Sequence, residues 1–433
     1  MSNSTNKTET LQESNQRKFI VLDVVFYGSS LNYNQGTDNY QELKKITKWD
    51  GKQHTLVSRY ALRYSLLKTG EDLGLWKNAP GTEFERRAGE RRAGKSVKPV
   101  IQPSMEALLS GKILEYPEFD LFGYLITSTT PQNFREAPVK ISHAISMTPY
   151  SYDSHFSGNL GLARRMVEAG KANKMDVDLF TVEEHQTYYV YTIVIDEARI
   201  GKYEVYLAKN NKEKEKGSKN SLNEKEKLTI TSIEVKNDKI IIKRNKNNKE
   251  ELQEVPLIKD VKCECREEGK VFVLKYSLAQ TNLATQEKKE EKEPSIIKER
   301  VKALIKAVLN LNRQIKGRNE FLQPKLLVLG VYNGEPYQSY KDRIILANEY
   351  EETYEETVEP KTNDSVKIIK RAVKLEKPTF KIFVDKEIRP EVLNENEVIK
   401  AISLQDSNEQ SSSVRIFYAP EIKVVTQPIE QTS

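Results

Sequence analysis

Few side chains in this 433-residue chain have the types and spacing that chemistry needs. Cys263 and Cys265 are its two cysteines, and Cys263-Glu264-Cys265 sets both thiols on one face of a strand. Such a pair could bind metal or cycle as a disulfide. A four-thiolate zinc site needs a second pair, so no metal site is expected. Four histidines are too few to build one readily. His143 follows Ser142 within a strand-like segment, where a packed, hydrogen-bonded imidazole is the first reading and contact with nucleic acid the second. No His-Glu-x-x-His and no Gly-x-Ser-x-Gly elbow occurs.

The basic side chains are more telling. Lys44-Lys45, Arg59 and Arg63, Arg86-Arg87 with Arg91-Arg92, and Arg164-Arg165 fall in segments interleaved with Tyr, Phe, Trp and Met. That mixture follows a phosphate backbone and stacks bases. The RNP1 octapeptide is absent, so aromatic stacking on a sheet face is not the expected mode. The run from Lys209 to Lys227 is different: Lys and Glu alternate and nearly cancel, which gives it no binding role.

The elements that position these residues follow from composition and pattern. At about 150 residues per domain the length suggests two or three packed units. Lys and Arg number 69 against 63 Asp and Glu, a net charge of +6 with 30% charged residues: a mixed surface with a basic tilt. Two cysteines rule out a disulfide framework and make a reducing cytoplasm the expected compartment. The first 18 residues are too polar for a signal peptide, and no apolar run is long enough to span a membrane.

Phe19–Tyr27 (FIVLDVVFY) reads as a strand covered on both faces, with Asp23 requiring a basic or amide partner. The Asn- and Ser-rich loop from Gly28 follows. A helix is expected over Leu56–Lys68, with Leu56, Tyr60, Leu62, Leu66 and Leu67 inward and Arg59 and Arg63 along one edge. Residues 81–100 read as a flexible basic loop, and strands are expected at Leu121–Ser128, Ala137–Met147 and Tyr188–Asp196. The forty residues between the last two must project as an arm, because their ends are the ends of neighbouring strands. Residues 209–227 read as disordered, and the strand patterns up to Tyr276 as a small β-meander appendage, closed by the charged run Glu287–Glu293. A helix over Pro294–Ile315, with Gly317 as its stop, leads to a strand at Lys325–Tyr332. The tail carries acidic and strand-like stretches and reads as loose chain beyond Asp406. The order is that of an α+β sandwich, RRM-like or ferredoxin-like.

Several blocks go further. FIVLDVVFYGSSLNY, WDGKQHTLVSRYALRYSLL, REAPVKISHAISM, TYYVYTIVID and VKALIKAVLNLNRQIKGRNEFLQPKLLVLGVY occur in the order seen in one family. Over roughly residues 18–205 and 294–340 the chain resembles the DevR/Cst-type backbone subunit of type I-B CRISPR Cascade, of the RAMP superfamily. The resemblance implies a hand-like subunit. Its RRM-like (ferredoxin-like) palm would comprise residues 18–48, 101–145, 188–205 and 294–340. Around the palm would lie a fingers insertion with the basic loop (49–100), a thumb (146–187), the charged insertion (209–293), a C-terminal extension (341–433) and a disordered tail (1–17).

Such subunits polymerise as a helical filament on CRISPR RNA, beside other Cascade subunits, and meet target DNA through guide pairing, with no membrane and no cofactor. The implied RNA contacts are Ser58, Arg59 and Arg63 on the first helix, Ser142 and His143 at the thumb root, and Arg164, Arg165 and Met166 on the thumb. Lys44, Lys45 and Arg135, at the head of REAPVKISHAISM, join them. Because base pairing reads the sequence, the subunit needs backbone contacts and a wedge, and no enzymatic activity is expected. The alternative is a metal-dependent RNA endonuclease of a type III-like effector, with Asp38 in the loop after the first strand. One carboxylate between Asn34 and Asn39 is a weak magnesium site. No helix-turn-helix spacing supports a transcription regulator.

Overall fold

The computed structural model describes residues 17–34, 39–87, 100–127, 129, 131–174, 177, 179–209, 229–246, 249–279, 295–315, 317–334, 336–348, 351–360, 366–403 and 412–429. The chain divides into two compact units. One comprises residues 1–69, 141–195 and 305–433, the other residues 70–140 and 196–304. The fold is mixed α+β, with sheets dominant.

The first unit is organised by a large sheet. The main path through it takes in β1 (Lys18–Ser29), β2 (Lys45–Thr47), β3 (Gln53–Val57), β4 (Ala144–Ser146), β5 (Gln186–Asp196), β6 (Pro324–Asn333), β7 (Glu391–Val392) and β8 (Ser413–Tyr418), and the short strand Val139–Ile141 pairs with β5 off that path. They lie in the order β7-β8-β6-β1-β5-β4-β3-β2. β1 is central because Ile20 to Phe26, Asp23 apart, are β-branched or large apolar residues and bury on both faces. On one face Val25, Val190, Leu326, Val328 and Ile416 pack against Phe380, Ile382 and Val384 of a smaller sheet. Toward the other, Phe26 stacks on Tyr189, with ring centroids 5.3 Å apart. Asp23 faces the first of these cores, and its partners are two hydroxyls and a main-chain amide, where a basic or amide side chain was expected.

Three of the helices are α1 (Arg59–Asp72), α2 (Leu160–Glu168) and α3 (Ile296–Leu309). The expected helix from Leu56 starts later, because Leu56 belongs to β3, paired with Ile145. Ser58 then caps α1, its hydroxyl accepting from the Ala61 amide at 3.3 Å. Leu62, Leu66 and Thr69 turn inward while Tyr60 and Tyr64 stay over 60% exposed, so Tyr60 is not on the apolar face. α3 stops at Leu309, short of Ile315. Asn310 folds back onto the Lys306 carbonyl, and the chain enters a hairpin of Asn312–Ile315 with Arg318–Phe321. Gly317, at φ +80°, serves the turn of that hairpin.

Other expectations also change. The Ala137–Met147 segment forms two short strands, Val139–Ile141 and Ala144–Ser146. Leu121 lies in a helix, Pro117–Phe122, before the strand Tyr124–Ile126. The chain beyond Asp406 is not loose: β8 pairs with β6, and Lys423–Pro428 pairs with Thr379–Val384. Phe84–Arg87 and Val100–Pro103 form a ladder at the ends of the expected basic loop. Residues 88–99 of that loop, 210–227 and 1–16 lie outside the described residues.

In the second unit the expected appendage is not set apart. The strand Val271–Leu278 lies between Lys202–Ala208 and Val261–Glu268. Ile240, Ile242, Phe272, Leu274 and Tyr276 share one core with Leu108, Leu109, Ile113 and Leu114. Tyr203 and Tyr276 stack at 4.4 Å, and their hydroxyls donate to the Leu108 and Leu109 carbonyls. The segment's charge sits on outward positions, and its alternating apolar residues close the core. Among the described residues, no helix is long and apolar enough to cross a membrane.

Candidate nucleic-acid interface

The entrance to α1 is built by the loop after β1. Leu31 carries a left-handed φ of +41°, unusual for a branched residue. Arg313, buried on the hairpin after α3, holds it there: its guanidinium donates to the Leu31 carbonyl at 2.8 and 3.2 Å and to Ser65 Oγ at 3.3 Å. The next residue, Asn32, is thereby aimed so that its Oδ1 accepts the Ser58 amide at 2.7 Å. The first turn of α1 is thus fixed from below, and Arg59 emerges exposed at its start.

His143 meets that turn from the β4 side. Its Nδ1 accepts the Arg59 amide at 2.9 Å, which requires the imidazole to be deprotonated at Nδ1. Burial, together with the nearby cations Arg59, Lys341 and Lys44, pushes its pKa below the ordinary histidine value. The Ser142 hydroxyl accepts the Thr192 amide at 2.9 Å, tying this corner to β5. The Arg59 guanidinium lies over the Tyr60 ring, 4.8 Å from its centroid, and donates to its hydroxyl.

Of the residues expected from sequence, Lys44, Ser58, Arg59, Ser142 and His143 are therefore gathered at one corner, with Arg63 one turn along α1. Among the described residues, no carboxylate makes an ion pair with Lys44 or Arg59. Two others serve the framework. Lys45 points the other way: its Nζ sits 2.6 Å from Glu183 and 4.8 Å above the Tyr150 ring. Arg135 is buried in the second unit, 2.6 Å from Asp120, which also pairs with Arg300.

Arg164, Arg165 and Met166 lie exposed on α2, carried by the hairpin of Ser154–Gly158 with Leu179–Glu183. Phe156, Leu160 and Leu162 are exposed beside them in sequence. The root of this arm is fixed by Glu183, which accepts from the Tyr40 hydroxyl at 2.6 Å and the Leu43 amide at 2.9 Å. Sequence reasoning missed Lys341 and placed Tyr60 in the core. Only a structure brings residue 341 to residue 143.

Among the described residues, no group of three or more His, Cys, Asp or Glu is assembled as a metal would need. Asp38 lies outside the described residues. Cys263 and Cys265 are free thiols packed against the core of the second unit, and burial pushes the Cys263 thiol up to about 12.

Comparison with known proteins gives three results. A family model described as "CRISPR-associated negative auto-regulator DevR/Csa2" matches residues 20–355. No curated protein matches in sequence. Among solved structures, a subunit of a "CRISPR RNA-guided surveillance complex, pre-nicking" is similar over 74% of this chain and 80% of its own, at 10% identity and a TM-score of 0.39. A subunit of a "CRISPR RNA-guided surveillance complex" aligns over 42% and 51% respectively, with 15% identity and a TM-score of 0.22. For a "Type IV-B CRISPR Complex" subunit the shares are 41% and 73%, with 13% identity and a TM-score of 0.23.

Proposed function

Because the chain belongs to the DevR/Csa2 family of CRISPR-associated proteins, we propose that it is a non-catalytic backbone subunit that binds CRISPR RNA in a type I-B Cascade-like surveillance complex. The observation that carries the reading is the corner where Lys44 and Arg59 crowd a neutral His143 without a carboxylate partner among the described residues. Like charges held close oppose one another, and a phosphate between them relieves that repulsion.

The sheet supports the palm of this reading. Reduced to β6-β1-β5-β4, with α1 following β1 and α3 preceding β6, the order matches a ferredoxin-like βαββαβ sandwich. Residues 146–187 form the thumb, with Arg164, Arg165 and Met166 displayed on α2 to clamp backbone and wedge bases. Copies of the subunit follow one another along the guide as a helical filament beside other subunits in the cytoplasm, and target DNA is read by pairing with the guide. Ser58, Arg63 and Ser142 complete the phosphate track.

The test is RNA binding by the full chain across a salt series, using several unrelated single-stranded sequences. Each phosphate contact contributes about 0.7 to the salt slope, and affinity should differ little between sequences. Arg59→Ala with Arg63→Ala should weaken every sequence equally, by roughly tenfold per lost charge-assisted contact. Unchanged affinity in that variant would place the phosphate track elsewhere.

A further inference from the structure

Lys341 stands at the same corner as Arg59 and His143, yet 198 residues from His143 in sequence. Its Nζ reaches the Ser142 hydroxyl and the His143 carbonyl, both at 3.4 Å, at the long limit for an ammonium donor. Asp23 and Asp342 act on it electrostatically, but among the described residues neither forms an ion pair with it. It is half-buried, and burial lowers its pKa. A lysine in that state has the geometry of a charge awaiting an anion.

What holds it there is buried in the sheet. Asp23, 1% exposed on β1, accepts the Thr192 hydroxyl at 2.6 Å, the Ser339 hydroxyl at 2.7 Å and the Tyr340 amide at 2.5 Å. Ser339 Oγ in turn accepts the Lys341 amide at 3.3 Å. The Asp23 charge is taken up by donors that pin residues 339–341, so it is engaged in holding the loop and makes no ion pair with the lysine. Thr192 completes the circuit, since its own amide donates to the Ser142 hydroxyl that faces Lys341.

We propose that Lys341 is a further phosphate-binding residue of the RNA site and that Asp23 is its positioning residue, acting through Ser339 and the Tyr340 amide. This rests on the RNA-binding reading above. It accounts for a buried carboxylate in the central strand, whose desolvation would otherwise be a cost without return.

The experiment measures binding of mixed-sequence single-stranded RNA to the full chain over a salt series, for wild type, Arg59→Ala, Lys341→Ala, Lys341→Arg, Ser339→Ala, Asp23→Asn and Lys341→Ala with Ser339→Ala. Lys341→Ala should lose roughly tenfold in affinity and flatten the salt slope by about 0.7, with Lys341→Arg restoring both. Ser339→Ala keeps the charge and should lose part of the affinity, with no additional loss in the double variant. Asp23→Asn should behave like Ser339→Ala; if it does not fold, Ser339→Ala carries the positioning claim alone. Lys341→Ala binding like wild type while Arg59→Ala weakens would overturn this proposal and leave the RNA reading standing. Indifference of both to substitution would defeat the reading itself, and additive losses in the double variant would defeat the positioning role.

Discussion

The amide of Arg59 donates to Nδ1 of His143 across 2.9 Å, so the first residue of α1 and the turn before β4 are joined by a bond that only a deprotonated Nδ1 can make. Protonation must break it, and the surrounding cations already discourage protonation. This contact links the state of one imidazole to the geometry of the proposed phosphate corner.

The first prediction follows from that sign. The folded pKa of His143 is lowered, so the unfolded chain binds more protons as pH falls through the ordinary histidine value. The stabilising contribution is complete above that value and is lost between it and the lowered one. Melting curves between about pH 5 and pH 8 should therefore show a shallower acid decline in His143→Gln than in wild type. His54 and His185 are shifted in the same direction by burial, so the difference between the two proteins is the quantity to read.

A second prediction separates two adjacent lysines. Lys45 is paired with buried Glu183, whose carboxyl suffers burial but is held below its ordinary pKa by Lys45, Tyr40 and the Leu43 amide. Glu183→Ala leaves that lysine and two donors unmatched and should cost about 3 kcal/mol in urea denaturation. Its contribution should vanish as pH falls from the ordinary carboxylate value through the lowered one. Lys45→Ala should destabilise while leaving the salt slope of RNA binding intact, and Lys44→Ala should do the reverse. A steep loss of RNA affinity in Lys45→Ala at temperatures where it is folded would contradict the assignment.

Arg135 gives the third. It is 2.6 Å from Asp120 and donates to the Arg199 carbonyl at 2.9 Å, within the second unit. Arg135→Ala should cost about 3–5 kcal/mol, because Asp120 stays buried with one arginine fewer. RNA affinity measured on the folded fraction should not change, and a loss there would restore Arg135 to the binding surface.

The fourth concerns residues 209–293. Phe272 is 3% exposed in the core shared with Leu108 and Ile113, so Phe272→Ala should cost about 3–5 kcal/mol. Replacing Val261–Leu278 with a Gly/Ser linker should abolish cooperative melting of the second unit. Undiminished melting would return the segment to the status of a separable appendage.

Some of this was readable in the sequence and some was not. β1 was legible because seven consecutive inward residues leave no other fold for them, and Asp23 stood out because a charge there needs partners. That Arg59 and Arg63 lie one turn apart on a helix was legible from their spacing. Tyr60 was not, since an aromatic at helical spacing serves a core or an arginine equally well. Lys44 and Lys45 share a composition and differ only in which way alternate side chains of an extended segment point. The C-terminal strand Ser413–Tyr418 was hidden because six residues after a polar run carry too little pattern, and its partner β6 supplies the rest. Lys341 could not be found at all: its place depends on Asp23, Ser339 and Thr192, which meet only in the folded sheet.

Whether this corner holds guide RNA is tested most directly by expressing the full chain with a CRISPR array, isolating the nucleic acid that copurifies, and sequencing it. Wild type is compared with Lys44→Ala carrying Arg59→Ala. RNA of repeat–spacer type is expected with the wild type, and its loss from a variant that melts normally. Duplex DNA, unselected cellular RNA, or guide RNA retained equally by the variant would contradict the assignment.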